Sequence, residues 1–216
     1  MENYTNTRFT QIINIVRSFE VPQKGNKKWL DLGCSDGSFV RLLASLGYYP
    51  TGIDVWDPKL KTEDSWEYIQ CDLNIESIPV DSCAYDIISA LELIEHVIDT
   101  DKLLNEIYRA IKPGGLFILS TPNICMIKNR FRILFGLYPY GIEYQDIIHH
   151  FRIYNLHCLK LQLKEHNFRI LAVEGEKLLP QNFLNYKWTK EISTILARIF
   201  PTLCANLIVI AMANKE

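Results

Sequence analysis

Short apolar runs alternate with amphipathic stretches along most of this chain. Runs rich in β-branched and aromatic residues occupy positions 28–32, 51–55 and 85–91. The stretches between them place apolar residues on one face of a helix, as in residues 99–111. Strands that alternate with helices in this way predict an α/β fold, in which a mostly parallel sheet carries helices on both faces.

Weaker apolar runs extend this pattern. Further strands are predicted at 67–71, 116–120, 168–173 and 207–212, and a further helix at 156–166. The last strand is expected to run antiparallel to its neighbours. We find no internal repeat, low-complexity segment or linker in the sequence, and therefore expect a single domain.

Residues 122–150 break the alternation. They show no strand pattern but hold many aromatic and basic residues, among them Lys128, Arg130 and Phe131. We interpret the segment as an insertion beside the sheet, helical in part. It would either form a lid over a substrate or complete the core on that side. The cations beside apolar residues in 124–140 also suggest a weak contact with a membrane surface, although they equally suit an anionic substrate group or plain solvated charge.

The composition narrows the possible functions. The chain has 216 residues, of which 48% are hydrophobic and 22% charged, as in a folded globular domain spanning 1–216. Its net charge of -2 argues against a general nucleic-acid binder, so no nucleic-acid partner is expected. The first residues lack the apolar core of a signal peptide, and the six cysteines form no CxxC pair. We expect a cytoplasmic protein with reduced thiols and leave its oligomeric state open.

A loop of small residues follows the first predicted strand. Gly33, Ser35 and Gly37 would let a ligand approach the backbone, and the N–H groups that open the next helix can meet an anionic group. Asp54 ends the second predicted strand about 20 residues later, where its carboxylate can accept both hydrogen bonds of a ribose diol. Together the two features predict a site for an adenosine-containing ligand. The alternative is an ordinary strand–helix turn followed by a surface acid.

Two common nucleotide motifs do not match this loop. The dinucleotide fingerprint would need glycines at positions 35 and 38, where this chain has Ser35 and Ser38. A phosphate-binding P-loop would need a lysine after Gly37, and none is present. Both mismatches disfavour a ligand bound mainly through its phosphates.

An ordered set of motifs resembles class I S-adenosylmethionine (SAM)-dependent methyltransferases. The resemblance covers residues 27–212. Its last motifs, TPN and HFRIY, resemble a small-molecule branch of the family that contains ubiquinone-type O-methyltransferases. Ser35 stands where many relatives have glycine. The motifs are LDLGCSDGS (30–38), TGIDV (51–55), QCDL (70–73), YDII with LELIEH (85–96), LxxIxRxIKPGG (104–115), TPN (121–123) and HFRIY (150–154).

The resemblance implies a Rossmann-like seven-stranded sheet, SAM as cofactor and methyl transfer to a small-molecule acceptor, with O-methylation slightly favoured. A non-catalytic SAM-binding regulatory protein is the main alternative, and an NAD(P)-dependent oxidoreductase is a weaker one. Asp54 would bind the ribose hydroxyls, Asp72 would face the adenine amino group, and Glu92 would lie near the sulfonium. The cofactor-binding residues implied are Asp31, Gly33, Cys34, Ser35, Gly37, Asp54, Val55, Asp72, Leu73, Leu91 and Glu92.

Methyl transfer to a hydroxyl is helped by a base that takes the proton. Glu92 and His96 follow the fourth predicted strand, where the resemblance places the methyl group, and His149 and His150 follow the insertion. Histidine titrates near neutral pH, which suits it to this task. A purely structural role remains an alternative for each of the four. No regular metal-ligand spacing such as HExxH occurs, so we predict no metal site.

Overall fold

A computed structural model describes residues 2–19, 27–56, 66–141, 150–178 and 187–215. Its strands are β1 (Lys28–Leu32), β2 (Tyr49–Asp54), β3 (Glu67–Gln70), β4 (Tyr85–Leu91), β5 (Ile111–Pro122), β6 (Phe168–Glu176) and β7 (Asn206–Ala213). Its α-helices are α1 (Glu2–Ser18), α2 (Ser38–Ser45), α3 (Thr100–Ala110), α4 (Ile127–Leu134), α5 (Leu156–Glu165) and α6 (Lys187–Ile199).

The strands form one seven-stranded sheet in the order β3-β2-β1-β4-β5-β7-β6. Strands β1 to β5 pair in parallel, whereas β7 lies antiparallel between β5 and β6. The chain winds outward in both directions from the β1–β4 pair, so the strand order reverses there, and ligands bind at such a reversal in open α/β sheets. The predicted Rossmann-like, mostly parallel sheet with an antiparallel last strand is confirmed.

Helices cover both faces of the sheet, as the periodicity predicts. On one face, Ile12 of α1 and Leu43 of α2 pack with Trp29, and all three are fully buried. On the other face, Leu104 of α3 and Leu159 of α5 lie in a larger buried cluster with the strands. The sheet therefore has a dry core on each side, and its strand ends remain available for a site.

Several helix ends follow from local chemistry. Asp99 caps α3, because its carboxylate accepts a hydrogen bond of 2.9 Å from the Lys102 N–H. Asn155 caps α5 in the same way through the Cys158 N–H. Gly47 follows α2 with a φ of 86°, a left-handed conformation in which glycine readily ends a helix.

The structure differs from the sequence prediction in two places. Strand β5 begins at Ile111, before the predicted start at 116, and residues 112–115 bulge out of its pairing with β4. Helix α6 was not predicted. In the insertion, α4 forms the predicted helical part, while residues 142–149 lie outside the described residues. Within the described part of the chain, no helix combines the length and apolar character needed to cross a membrane.

Candidate active site

The loops that follow β1, β2 and β3 are tied together at one edge of the sheet. The backbone N–H groups of Gly33 and Cys34 both donate to the Ile53 carbonyl, at 2.8 and 3.0 Å. The Cys71 N–H donates to the Asp54 carbonyl at 3.0 Å. The motif residues after the three strands therefore meet at the carboxyl edge, as expected of parallel neighbours.

The loop after β1 is built from left-handed residues. Gly33, Ser35 and Gly37 have φ values of 72°, 49° and 70°. A Cβ atom at Gly33 would lie 3.1 Å from Leu93, and one at Gly37 would lie 3.1 Å from Trp66, so added side chains would be both strained and crowded. The loop thus keeps its backbone accessible, which suits the close approach of a ligand.

Asp54 closes this loop and retains spare acceptor capacity. One carboxylate oxygen accepts from the Ser35 N–H at 2.8 Å and the other from the Trp56 N–H at 3.2 Å. Because a carboxylate has about four lone-pair sites, about two remain for a ribose diol. Val55 next to it is 45% exposed and offers an apolar surface on which an adenine can pack.

Asp31 is a buried acid beneath the same loop. It is 3% exposed and accepts a hydrogen bond from the Ser89 hydroxyl. Burial raises the pKa of Asp31 to about 7, the Ser89 bond opposes the rise, and the nearby charge of Asp54 adds to it. A cationic group bound here would favour the ionised carboxylate. Burial, together with Asp31 and Asp54, also raises the pKa of Cys34 to about 12, so its thiol stays protonated.

The loop after β3 adds two of the predicted cofactor residues. Asp72 accepts from the Asn74 N–H at 2.9 Å, and Leu73 packs against the core. Asn74 in turn accepts from the Ile98 N–H at 2.8 Å, which joins this loop to the segment after β4. The small-residue loop, the strand-end acid and the buried acid together fit the SAM that the resemblance implies, while the individual roles stay predictions.

Leu91 and Glu92 end β4. Leu91 is half-buried against the face covered by α1 and α2. Glu92 has a φ of 53°, a conformation that costs a non-glycine residue about 1–3 kcal/mol. Its carboxylate accepts from the Ser120 hydroxyl at 2.8 Å and pairs with Arg8 of α1 at 3.5 Å. These contacts fix the position of the Glu92 carboxylate, and its catalytic role stays a prediction.

Arg8 was not foreseen from the sequence. Besides Glu92, it pairs with Glu176 at the end of β6 at 2.7 Å, and Glu176 also accepts from Asn206 at 3.1 Å. One arginine of α1 thus joins the ends of β4 and β6. Such a link depends on how a distant helix packs on the sheet, and no local pattern around position 8 signals it.

Glu95, His96 and His150 form a cluster of side chains that are each able to accept a proton. One ligand-type atom of each lies within 4.8 Å of the others, and the two imidazole rings are 4.8 Å apart. Glu95 is 2% exposed and accepts from the Thr121 hydroxyl at 3.0 Å. Burial raises the pKa of Glu95 to about 7, and the charge of Glu92 adds to the rise. His149 lies outside the described residues.

The same three side chains are of kinds that bind metal ions. Among the described residues, these three form the group found that could hold a metal ion. Their positions along the sequence lack the regular spacing, such as HExxH, that predicts a metal site. The predicted absence of a metal site stays a prediction. Glu95 is not among the catalytic candidates named from the sequence, although its place in the LELIEH motif, directly before His96, is a usable signal.

A cavity of about 150 Å³ adjoins this cluster, close to the volume that holds a benzene ring. Glu95 and His150 line it together with Met126 and Tyr140 of the insertion and Asn123 after β5. The insertion therefore contributes side chains to the cavity, as a lid would, although α4 also carries a largely exposed face.

Comparisons with known proteins point to one family. The family described as "Methyltransferase domain" matches residues 4–173. A ubiquinone biosynthesis O-methyltransferase from Psychrobacter arcticus is 32% identical over 127 residues, which is 55% of this chain and 47% of that protein. The chain thus spans about half the length of that relative.

Solved structures show the same fold. An S-adenosylmethionine-dependent methyltransferase from Mesorhizobium loti has a TM-score of 0.62 at 20% identity, covering 90% of this chain and 94% of its own. Phosphoethanolamine N-methyltransferase 2 from Haemonchus contortus, in complex with S-adenosyl-L-methionine, has a TM-score of 0.65 at 20% identity, covering 95% of this chain and 53% of its own.

Proposed function

Because this chain belongs to the methyltransferase domain family and is a SAM-dependent methyltransferase, we propose that it methylates a hydroxyl group of a small-molecule acceptor. The observation that carries the proposal is the cluster of Glu95, His96 and His150, of which Glu95 and His150 line the cavity. A hydroxyl becomes a strong nucleophile only as it loses its proton, whereas a neutral amine needs no base. A cluster of proton acceptors beside the cavity therefore favours a hydroxyl acceptor.

We assign His150 as the residue that takes the proton. Its Nδ1 lies 3.4 Å from the Gly141 carbonyl and carries the hydrogen that faces this oxygen, which leaves Nε2 as the acceptor. Bound SAM would supply the methyl group and leave as S-adenosylhomocysteine as its sulfur–methyl bond breaks, and the proton of the acceptor hydroxyl would pass to Nε2 of His150. Glu95 stabilises the resulting imidazolium, since a carboxylate within a few ångströms favours the charged form.

SAM supplies an activated methyl group when it is bound, so the protein's main task is to align the acceptor and exclude water. The insertion helps to exclude water, because Met126 and Tyr140 close one side of the cavity. We propose that this segment acts as the lid. We also retain the predicted contact of residues 124–140 with a membrane surface as a proposal.

The relatives support oxygen as the acceptor atom only in part. The Psychrobacter arcticus protein is named an O-methyltransferase, but the aligned part covers 47% of it. The Haemonchus contortus enzyme is named an N-methyltransferase and at 20% identity informs on the fold alone. The choice of oxygen therefore rests mainly on the cluster.

Transfer of labelled methyl from SAM to matched acceptors tests the proposal. A phenol, the aniline with the same ring and the phenol's methyl ether differ only in the reacting group. We expect the phenol alone to be methylated. Faster methylation of the aniline would overturn the choice of oxygen.

Histidine variants test the base. We expect His150→Gln to lower turnover of the phenol by about 10²–10⁴-fold, the range usual for a general base, while SAM affinity stays within about twofold. His157→Gln changes an exposed histidine on α5 and serves as the matched control. Unchanged turnover in His150→Gln would remove this residue from the mechanism.

A further inference from the structure

A groove of about 570 Å³ lies between the outer face of α5 and the beginning of β6, and we call it the β6 groove. Strand β6 is the last strand of the sheet, and among the described residues it pairs on one side only, with β7. Because β6 runs parallel to β5, the groove lies at the amino edge of the sheet, opposite the loops that follow β1, β2 and β3. A ligand in the groove therefore leaves the candidate active site open.

The charges that line the β6 groove have one sign. Lys160 and Lys164 are exposed and four residues apart on α5, so their side chains lie on the same face of the helix. Arg169 of β6 adds a third cation, and no aspartate or glutamate is among the described residues that line the groove. Like charges at this spacing destabilise a helix, and an anion bound between them removes that cost.

The cations lie on both sides of the outer edge of β6. Side chains of a strand point alternately to the two faces of a sheet. Phe168 and Ile170 accordingly pack in the cluster that includes side chains of α5, whereas the Arg169 guanidinium reaches Met212, which packs in the cluster on the other face. A strand laid along this edge would have the lysines of α5 beside one face and Arg169 beside the other.

The shape and lining of the β6 groove favour a peptide over other anions. A flat bilayer does not enter a concave groove, and single-stranded nucleic acid relies on exposed aromatic rings on which its bases stack. The phenyl ring in the lining, that of Phe168, is 3% exposed. Leu161 is 49% exposed beside the lysines and offers an apolar contact. An extended peptide can also bond to backbone groups on the outer edge of β6, as a strand added to a sheet.

We propose that the β6 groove binds an extended acidic segment of a partner protein, which pairs with residues 168–170 and places its carboxylates beside the three cations. Regular pairing ends at the bulge after Ile170, where the register of β6 shifts, because a bulge turns a strand edge away from a partner. The contact is therefore short and depends on charge as well as on backbone pairing. It does not depend on the proposed O-methylation.

Fluorescence anisotropy with labelled peptides tests the proposal. The probe is a six-residue peptide in which Glu-Glu-Val occurs twice, so that an extended chain carries carboxylates on both faces. We expect micromolar binding that weakens as salt is raised, and at least tenfold weaker binding when glutamine replaces every glutamate. N-methylation of alternate backbone amides should also weaken binding at least tenfold in one of its two registers, because it removes the pairing with β6.

Charge-reversal variants of the full chain locate the peptide. Lys160→Glu with Lys164→Glu should weaken binding of the glutamate peptide at least tenfold, and Arg169→Glu should weaken it as well. Lys128→Glu reverses an exposed lysine on α4 and should leave peptide binding unchanged, so it controls for net charge. SAM affinity measured on every variant shows that the fold is retained, since the groove lies at the other edge of the sheet.

Three results would overturn the proposal. One is the absence of peptide binding or equal binding of the glutamate and glutamine peptides. Another is unchanged affinity in Lys160→Glu with Lys164→Glu. The third is tighter binding of pyrophosphate or of a six-nucleotide single-stranded DNA than of the glutamate peptide, which would assign the groove to a phosphate ligand. Loss of turnover on phenols would bear on the proposed O-methylation and not on the β6 groove.

Discussion

Replacing Asp31 by asparagine tests the electrostatics of the cofactor site most directly. Burial raises the Asp31 pKa from 3.8 to about 7 in the folded protein. A shift of about three units corresponds to about 4 kcal/mol of lost stability once the pH exceeds both values. The stability that protonated Asp31 allows is fully present below pH 3.8. The free energy of unfolding then declines as the pH rises towards 7, because Asp31 ionises first in the unfolded chain. Asparagine has the same shape and cannot ionise.

The expected outcome is a pH-dependent difference between the two proteins. Asparagine can keep the Ser89 hydrogen bond, but its buried amide hydrogens lack a partner, which costs about 1–3 kcal/mol. As the pH rises from about 5 to about 8, the unfolding free energy of Asp31→Asn should increase by about 3 kcal/mol relative to that of the natural chain. The same variant should bind SAM at least tenfold more weakly, because the site loses its ionised acid.

Chemical unfolding without ligand, at about pH 5 and about pH 8, measures the difference in unfolding free energy between Asp31→Asn and the natural chain. Asp81→Asn is the matched control, since Asp81 is an exposed acid outside the site. A constant difference between Asp31→Asn and the natural chain at both pH values would refute the argument, because the Asp31 ionisation would then carry no folding cost.

Three further changes test other parts of the structure. Asp54→Ala should weaken SAM binding tenfold or more by leaving the ribose hydroxyls unpaired, and an unchanged affinity in calorimetry would remove Asp54 from the site. Arg8→Met should lower the unfolding free energy by about 3 kcal/mol because Glu176 is left as a buried unpaired charge, whereas the exposed Arg17→Met should have little effect. Replacing 128–140 by a short glycine–serine linker should spare SAM affinity while lowering turnover, and loss of folding would show that this segment belongs to the core.

Local patterns predicted the fold well because each of them acts over a few neighbouring residues. The strand β4 was predicted with its observed bounds, since five of its seven residues are apolar and such a run is stable in the middle of a sheet. The fifth strand was predicted to begin at 116, which is where regular pairing with β4 starts; residues 112–115 bulge out of that pairing, and Gly114 has a left-handed φ of 69°. Helix α6 was missed although Ile192, Ile195 and Ile199 recur at helical spacing, which was a usable signal.

The sequence by itself determined the elements, the small-residue loop after β1 and the acid at the end of β2, since motif spacing records which strand ends lie side by side. Only the tertiary structure decided which distant residues meet. It brings His150 to Glu95 and His96, and it brings Arg8 to the ends of β4 and β6. It also decided that α4 turns its apolar face outward, because the buried Asn129 anchors the opposite face. These contacts depend on the path of the chain around the sheet, and no periodicity or motif in the sequence predicts that path.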